Sequence, residues 1–143
     1  MKNESIQVFQ TGVLRVNTCV VPLAENKVFV VDPADMVCDS RNAVLNYIEK
    51  NGLECVAVLL THGHFDHITG ILPVKNAFPQ AVVAIHKNDA CELGAAGVMN
   101  CNILGDFWMD VLLEQLPRQP KSDVFFNGGE TLFALLEKVC GNC

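Results

Sequence analysis

The segment Cys55-Val56-Ala57-Val58-Leu59-Leu60 runs directly into Thr61-His62-Gly63-His64-Phe65-Asp66-His67. The first part is entirely apolar, as is typical of a β-strand buried on both faces. The second part contains three of the four histidines of the chain, and one aspartate, within six consecutive positions. The composition of the chain would produce this H-x-H-x-D-H pattern by chance with a probability of roughly 2 in 10,000, so we interpret the cluster as functional.

Upstream of this segment, the pattern predicts three strands. Ile6 and Val8, then Leu14 and Val16, alternate with polar neighbours, as in half-buried strands. The dipeptide Glu25-Asn26 separates two further apolar runs, at residues 20–23 and 28–31, and indicates a hairpin. The first 31 residues are therefore predicted to form a small antiparallel meander.

The central part of the chain alternates between helix and strand signals. Asp39-Ser40 offers an N-cap for a helix that Gly52 is predicted to end. The apolar face of this helix comprises Val44, Leu45 and Ile48. Pro73 suits the first turn of a second helix that ends near Phe78. Residues 81–85 form another buried apolar run, residues 87–96 are predicted as a helix, and residues 106–116 could form an amphipathic helix. This order predicts an α/β fold, in which ligands bind at the carboxyl ends of the strands.

Composition limits the functions that are open to the chain. Its 143 residues fit one domain, and a formal charge of −6 argues against a nucleic-acid partner. No apolar run approaches the ~20 residues needed to span a bilayer, and residues 1–5 show no signal-peptide pattern, so we expect a cytoplasmic protein without a membrane partner. The seven cysteines are irregularly spaced and are expected to be free thiols: Cys19, Cys38, Cys55, Cys91, Cys101, Cys140 and Cys143.

The residue types of the cluster suit metal ions. Neutral imidazole and carboxylate bind zinc at ~2.0–2.2 Å when they converge on a cavity. In extended backbone His62 and His64 point to the same side and can bind one ion, with Gly63 leaving room between them. After the chain turns, Asp66 and His67 can face a second ion, and two ions together polarise a carbonyl and activate a water. A purely structural role, with Asp66 as a helix cap, would not explain why so many imidazoles are crowded together.

The stretch LLTHGHFDHITG, at residues 59–70, is similar to the signature of the metallo-β-lactamase superfamily, and the chain most resembles its small glyoxalase II-like hydrolases. Weaker similarities follow in the same order at Asn17-Thr18-Cys19, Val30-Val31-Asp32-Pro33 and Phe126-Asn127-Gly128-Gly129-Glu130. The resemblance implies an α/β fold that corresponds to the N-terminal βα half of an αββα sandwich, with a mixed sheet flanked by helices. We take residues 1–143 as a single, truncated domain of this type.

The resemblance also implies roles for individual residues. His62 and His64 match the ligands of a first zinc ion and Asp66 and His67 those of a second, with Asp66 also orienting the attacking water. It implies two zinc ions per site, with iron or manganese as alternatives, and attack of zinc-bound hydroxide on an ester- or thioester-like bond of a small-molecule substrate. Asp32 matches a residue that supports the site, although capping the turn before Pro33 would explain it equally well.

The chain departs from the family pattern downstream. The family adds a third histidine, a bridging aspartate and a final histidine after the hairpin that residues 126–130 resemble, whereas no histidine follows His86, which matches no family ligand. Three interpretations are open: a truncated hydrolase, a chain that borrows ligands from another chain, or a site that uses Cys140 and Cys143. An exposed sheet face and a homo-oligomer that covers it are expected. The rival function is a catalytically impaired remnant that binds metal weakly and serves as an interaction or oligomerisation module.

Overall fold

A computed structural model describes residues 5–12, 14–34, 43–63, 65–89, 124–127 and 129. Several sequence predictions lie outside these residues. They are the N-cap at Asp39-Ser40, the metal ligand His64, the helices over residues 90–96 and 106–116, and the thiols of Cys38, Cys91, Cys101, Cys140 and Cys143.

The described residues form a mixed sheet of six strands that lie side by side in chain order. The first three strands are antiparallel to one another, and the third to the sixth are parallel. The strands are β1 (Gln7–Thr11), β2 (Val16–Ala24), β3 (Lys27–Val31), β4 (Glu54–Leu60), β5 (Val82–His86) and β6 (Val124–Phe126). The predicted meander and the α/β class are therefore confirmed.

The alternation of Ile6 and Val8 suggests that these side chains face the core, but in the edge strand β1 the opposite face does. These two side chains are exposed by 57% and 60%. Instead, Phe9 packs on Tyr47 of the first helix, with ring centroids 5.5 Å apart, and Thr11 is buried. An edge strand has one neighbour, so a single aromatic contact can decide which of its faces is covered.

The helix α1 (Ala43–Lys50) follows β3 and buries Val44 and Ile48, as predicted. Gly52 follows two residues after its end and has a φ of 62°, in the left-handed region. The amide of Gly52 donates to the Glu49 carbonyl at 3.1 Å and that of Leu53 to the Ile48 carbonyl at 2.9 Å. These are the two hydrogen bonds of a Schellman motif, so the glycine ends the helix for the reason that the sequence indicates.

The strand β4 is buried on both faces, as its apolar sequence predicts. Val58 and Leu60 face a core that also contains side chains of α1 and of the helix α3 (Ile71–Ala77). Ala57 and Leu59 face the other side with Phe29 and Ala84, and all four are at most 7% exposed. The expectation of an open second sheet face is therefore wrong at these positions.

The short helix α2 (Phe65–Ile68) follows β4, and α3 comes directly after it. Pro73 lies in the first turn of α3, as predicted. The helix predicted from residue 87 does not begin there, since residues 87–89 form a turn. The amide of Asn88 donates to Nδ1 of His86 at 3.2 Å, and the amide of Asp89 donates to the His86 carbonyl at 3.0 Å. These two amides therefore form a turn with the last residue of β5.

Among the described residues, no helix is long and apolar enough to cross a membrane.

Candidate metal centre

The candidate site lies where the parallel strands β3 and β4 end next to each other. Val31 is paired with Leu59, and the amide of Asp32 continues the ladder by donating to the Leu59 carbonyl at 3.1 Å. Because both strands run in the same direction, Asp32 and Thr61 leave the sheet at the same edge. This is the edge at which α/β proteins bind their ligands.

The backbone of Asp32 is held in an unusual conformation. Its φ is 49°, in the left-handed region that aspartate tolerates better than most residues. The hydroxyl of Thr18 donates to the Asp32 carbonyl at 2.7 Å, and Thr18 is itself 2.6 Å from the hydroxyl of Thr11. Both threonines are buried, so the polar support of this turn comes from the neighbouring strands β1 and β2.

The same turn is anchored to the loop after α2 and to the turn before β2. The amide of Gly70 donates to the Pro33 carbonyl at 2.9 Å, and the hydroxyl of Thr69 donates to the Ala34 carbonyl at 2.8 Å. On the other side Gly12, with a φ of 71°, approaches so closely that a Cβ atom added there would lie 2.6 Å from the Ala34 carbonyl oxygen. Residues 32–34 are thus fixed from two sides.

The carboxylate of Asp32 accepts three hydrogen bonds. The amide of Thr61 donates to Oδ1 at 2.8 Å, the hydroxyl of Thr61 donates to Oδ2 at 2.5 Å, and Nδ1 of His67 lies 3.0 Å from Oδ2. The side chain of Asp32 is only 6% exposed. A carboxylate offers acceptors only, so His67 carries a hydrogen on Nδ1 and directs Nε2 away from Asp32.

The second imidazole, that of His62, lies against the first. The ring centroids of His62 and His67 are 4.1 Å apart with an angle of 53° between the planes. Nδ1 of His62 is 2.8 Å from the hydroxyl of Thr61. Both histidines are half-buried, which leaves an accessible side from which a small ligand can approach.

Asp66 completes the cluster from the first turn of α2. Its Oδ2 atom lies 3.4 Å from Nε2 of His67, and both side chains are about one-fifth exposed. With Nδ1 of His67 bound to Asp32, a metal ion placed between Nε2 and the Asp66 carboxylate would make this contact attractive, as a hydrogen on Nε2 also would. Adjacent ligands of a tetrahedral ion bound at ~2.1 Å are about 3.4 Å apart, so the donor set fits a zinc-like metal.

Distance alone would also make Asp32 a metal ligand, since ligand atoms of Asp32, His62 and His67 all lie within 4.8 Å of one another. The hydrogen bonds argue otherwise. Both oxygens of Asp32 already accept protein donors, and one of these donors is a ring nitrogen of His67. A carboxylate in this position orients a metal-ligating imidazole. This contact favours the supporting role of Asp32 over a mere cap of the turn before Pro33.

The structure therefore brings together three of the four residues that the sequence analysis assigns to metal binding: His62, Asp66 and His67. The fourth, His64, lies outside the described residues. Their role as ligands stays a prediction. Thr61 received no role from its sequence, although it directly precedes the motif and bonds both Asp32 and His62.

Cys55 lies in the same strand as the site but near its opposite end. Burial raises the pKa of its thiol to about 12, and its Sγ donates to the Ala57 carbonyl at 3.3 Å. A thiol that stays protonated is neither a nucleophile nor a metal ligand. We therefore assign Cys55 to the core.

Comparison with known proteins agrees with this fold. Residues 11–131 match the model of the metallo-β-lactamase superfamily, and the chain belongs to this family. Two curated relatives are named hydroxyacylglutathione hydrolase. The one from Actinobacillus pleuropneumoniae serotype 5b is 42% identical over 59 residues, which are 41% of this chain and 23% of the relative. The one from Prochlorococcus marinus is 35% identical over 88 residues, which are 62% of this chain and 33% of the relative.

Solved structures show the same fold. The B3 metallo-β-lactamase BLEG-1 superposes with a TM-score of 0.71 at 19% identity, covering 90% of this chain and 56% of that one. TTHA1623, solved in a di-iron-bound form, gives a TM-score of 0.67 at 24% identity and covers 89% of this chain and 57% of that one. The chain thus spans little more than half of these structures, and the aligned part covers a third or less of the curated relatives above.

Proposed function

We propose that the chain is a metal-dependent hydrolase of its superfamily that cleaves an ester- or thioester-like bond of a small molecule. The observation that carries the proposal is that His62 and Asp66 each lie against His67 at the carboxyl ends of β3 and β4, with Asp32 orienting the His67 imidazole. A site at this edge, built from two imidazoles and a carboxylate, has the composition of a catalytic zinc centre.

The residues of the chain would divide the work as follows. His62, His64, Asp66 and His67 would hold the metal, and Asp66 would also accept a hydrogen bond from the attacking water and so orient it. Bound zinc or iron supplies Lewis acidity, which polarises a carbonyl and lowers the pKa of water. The buried carboxylate of Asp32 keeps the ring of His67 in place before and during the reaction.

For the substrate we propose a thioester such as a hydroxyacyl derivative of glutathione. Support comes from the curated relatives, which are named for the hydrolysis of hydroxyacylglutathione. Hydrolysis adds water across the bond between the carbonyl carbon and sulfur: the hydroxyl goes to the carbon and the proton to the sulfur. The products are a carboxylic acid and a thiol.

The test combines metal content with turnover. The 143-residue chain is purified, reconstituted with zinc or with iron, and assayed for bound metal by mass spectrometry and for thiol release from the glutathione thioester. We expect close to stoichiometric metal and hydrolysis that a chelator abolishes. His67→Ala should lower turnover at least 100-fold, because it removes an imidazole that the proposal makes a ligand.

His86→Ala is the matched control, since His86 is also half-buried and lies at the end of a parallel strand but outside the cluster. It should keep turnover within about twofold. A reconstituted chain that binds less than a few tenths of an equivalent of either metal and releases no thiol would overturn the proposal. That result would favour the catalytically impaired remnant in its place.

A further inference from the structure

We propose that Thr61 is a positioning residue whose hydroxyl carries the orienting effect of Asp32 to His62, so that one buried carboxylate sets the tautomers of both imidazoles. The inference rests on the proposed metal site, which it deepens by assigning the role of a side chain outside the ligand set. It follows from the direction in which each hydrogen bond of the cluster must run.

The first branch is direct. Nδ1 of His67 lies 3.0 Å from Oδ2 of Asp32, and the carboxylate has no hydrogen to offer. His67 therefore donates from Nδ1, and in the neutral ring the lone pair is on Nε2. That atom is the one that faces the Asp66 carboxylate at 3.4 Å.

The second branch passes through Thr61. A hydroxyl has one hydrogen, and that of Thr61 is donated to Oδ2 of Asp32 at 2.5 Å, a length typical of a strong bond to a charged oxygen. Its oxygen can then only accept at its other contact, which is Nδ1 of His62 at 2.8 Å. His62 therefore also carries its hydrogen on Nδ1 and its lone pair on Nε2.

The threonine is well placed to act as this relay. Its amide donates to Oδ1 of Asp32 at 2.8 Å and its hydroxyl donates to Oδ2, so both oxygens of the carboxylate are bound by one residue. This double contact fixes the rotation of the hydroxyl oxygen relative to His62. Both neutral rings thus have their lone pair on Nε2, which is then the nitrogen that can bind a metal ion.

The expected loss of zinc affinity depends on how exposed Thr61 and Asp32 are to water. Thr61 is exposed, whereas Asp32 is buried, so water can replace the hydroxyl as a partner of His62 but cannot replace the carboxylate as easily. Loss of groups that orient metal ligands typically lowers affinity 10- to 100-fold. We expect the lower end of this range, about tenfold, for the loss of the Thr61 hydroxyl.

Nitrogen-15 NMR of the metal-free protein, with labelled histidine, tests the inference without any turnover. For a neutral imidazole, the spectrum distinguishes a hydrogen on Nδ1 from one on Nε2. We expect both His62 and His67 to carry it on Nδ1 in the wild-type chain. A hydrogen on Nε2 of His62 in that chain would overturn the inference, even if the protein proves to be an active hydrolase.

Three variants complete the test. Thr61→Val should remove the Nδ1 preference of His62, leave that of His67 intact and weaken zinc binding in a chelator competition about tenfold. Thr61→Ser keeps the hydroxyl and should behave as wild type. Gln80→Leu is the control, because it removes an exposed hydrogen bond to Glu54, at the opposite end of β4 from the site. Equal zinc affinity and equal His62 spectra in Thr61→Val and wild type would contradict the inference.

Discussion

The substitution Asp32→Asn replaces one carboxylate oxygen by an NH₂ group and should reverse the hydrogen bond to His67 and the two hydrogen bonds that lead through the Thr61 hydroxyl to His62. In Asp32→Asn the amide of Thr61 still requires an acceptor, so the carbonyl oxygen of the new side chain takes the place of Oδ1. The NH₂ group then takes the place of Oδ2. It faces the Thr61 hydroxyl and Nδ1 of His67, to which it can only donate.

Both histidines respond to this reversal. His67 must accept at Nδ1 and move its hydrogen to Nε2. The hydroxyl of Thr61 now accepts from Asn and can donate to Nδ1 of His62, which shifts in the same way. The variant therefore folds with all its contacts made, but with the hydrogens on the nitrogens that should bind the metal.

The magnitudes separate folding from binding. Hydrogen bonds to a charged group are worth ~1.5–3 kcal/mol and neutral ones about 1, so the three bonds to position 32 together should lower the free energy of unfolding by roughly 1.5–6 kcal/mol. Metal binding would force both rings back against mismatched partners. At about 1–1.5 kcal/mol for each contact, the affinity for zinc should fall roughly 30- to 150-fold.

Urea unfolding, zinc competition and the nitrogen-15 spectrum measure the three quantities on one preparation. Asp32→Ala is the contrast: it leaves the amide of Thr61 and Nδ1 of His67 without their acceptor, so it should cost more stability and fix no tautomer. Hydrogens that stay on Nδ1 of both rings in Asp32→Asn, or a zinc affinity within threefold of wild type, would refute this account of the network.

Two further predictions concern the frame around the site. Gly12→Ala should destabilise the chain by at least ~2 kcal/mol more than Gly52→Ala in urea unfolding: both glycines have a positive φ, but only at Gly12 would the new Cβ lie 2.6 Å from a backbone oxygen. Equal losses of unfolding free energy in the two variants would show that the backbone near Ala34 shifts at no cost to admit the new Cβ. The thiol of Cys55 has a pKa of about 12 in the folded chain against 9.0 ordinarily, so the folded state holds this proton to higher pH than the unfolded state does. The stability that the buried, protonated thiol contributes is therefore lost as the pH rises from 9 to 12. Wild type should lose up to about 1.4 kcal/mol per pH unit relative to Cys55→Ala over that range; parallel curves would contradict this assignment.

Much of the fold could be predicted because its signals are local. The hairpin at Glu25-Asn26, the end of α1 at Gly52 and the apolar run of β4 each have a short-range physical cause, and each is confirmed. The wrong prediction for β1 depends on a contact that is distant in sequence. The exposure of Ile6 and Val8 follows from the packing of Phe9 on Tyr47, 38 positions away, which no alternation within β1 can reveal.

The candidate site shows the same division. The motif predicted which imidazoles and which carboxylate come together, because His62, Asp66 and His67 are close in sequence. Asp32 was open to two interpretations, since its contact with His67 spans 35 positions. Thr61 had no predicted role at all. A threonine before a histidine is unremarkable until the parallel pairing of β3 and β4 brings a carboxylate to its hydroxyl.

The left-handed backbone at position 32 narrows what this position can accept. A φ of 49° suits glycine, asparagine and aspartate best and disfavours β-branched side chains, and the longer side chain of glutamate would carry its carboxylate away from the positions of Oδ1 and Oδ2. Glycine has no side-chain acceptor, and asparagine has a donating NH₂ group where Oδ2 of Asp32 accepts hydrogen bonds. Only aspartate meets both demands, so saturation mutagenesis at this codon under selection for zinc uptake should return a single amino acid.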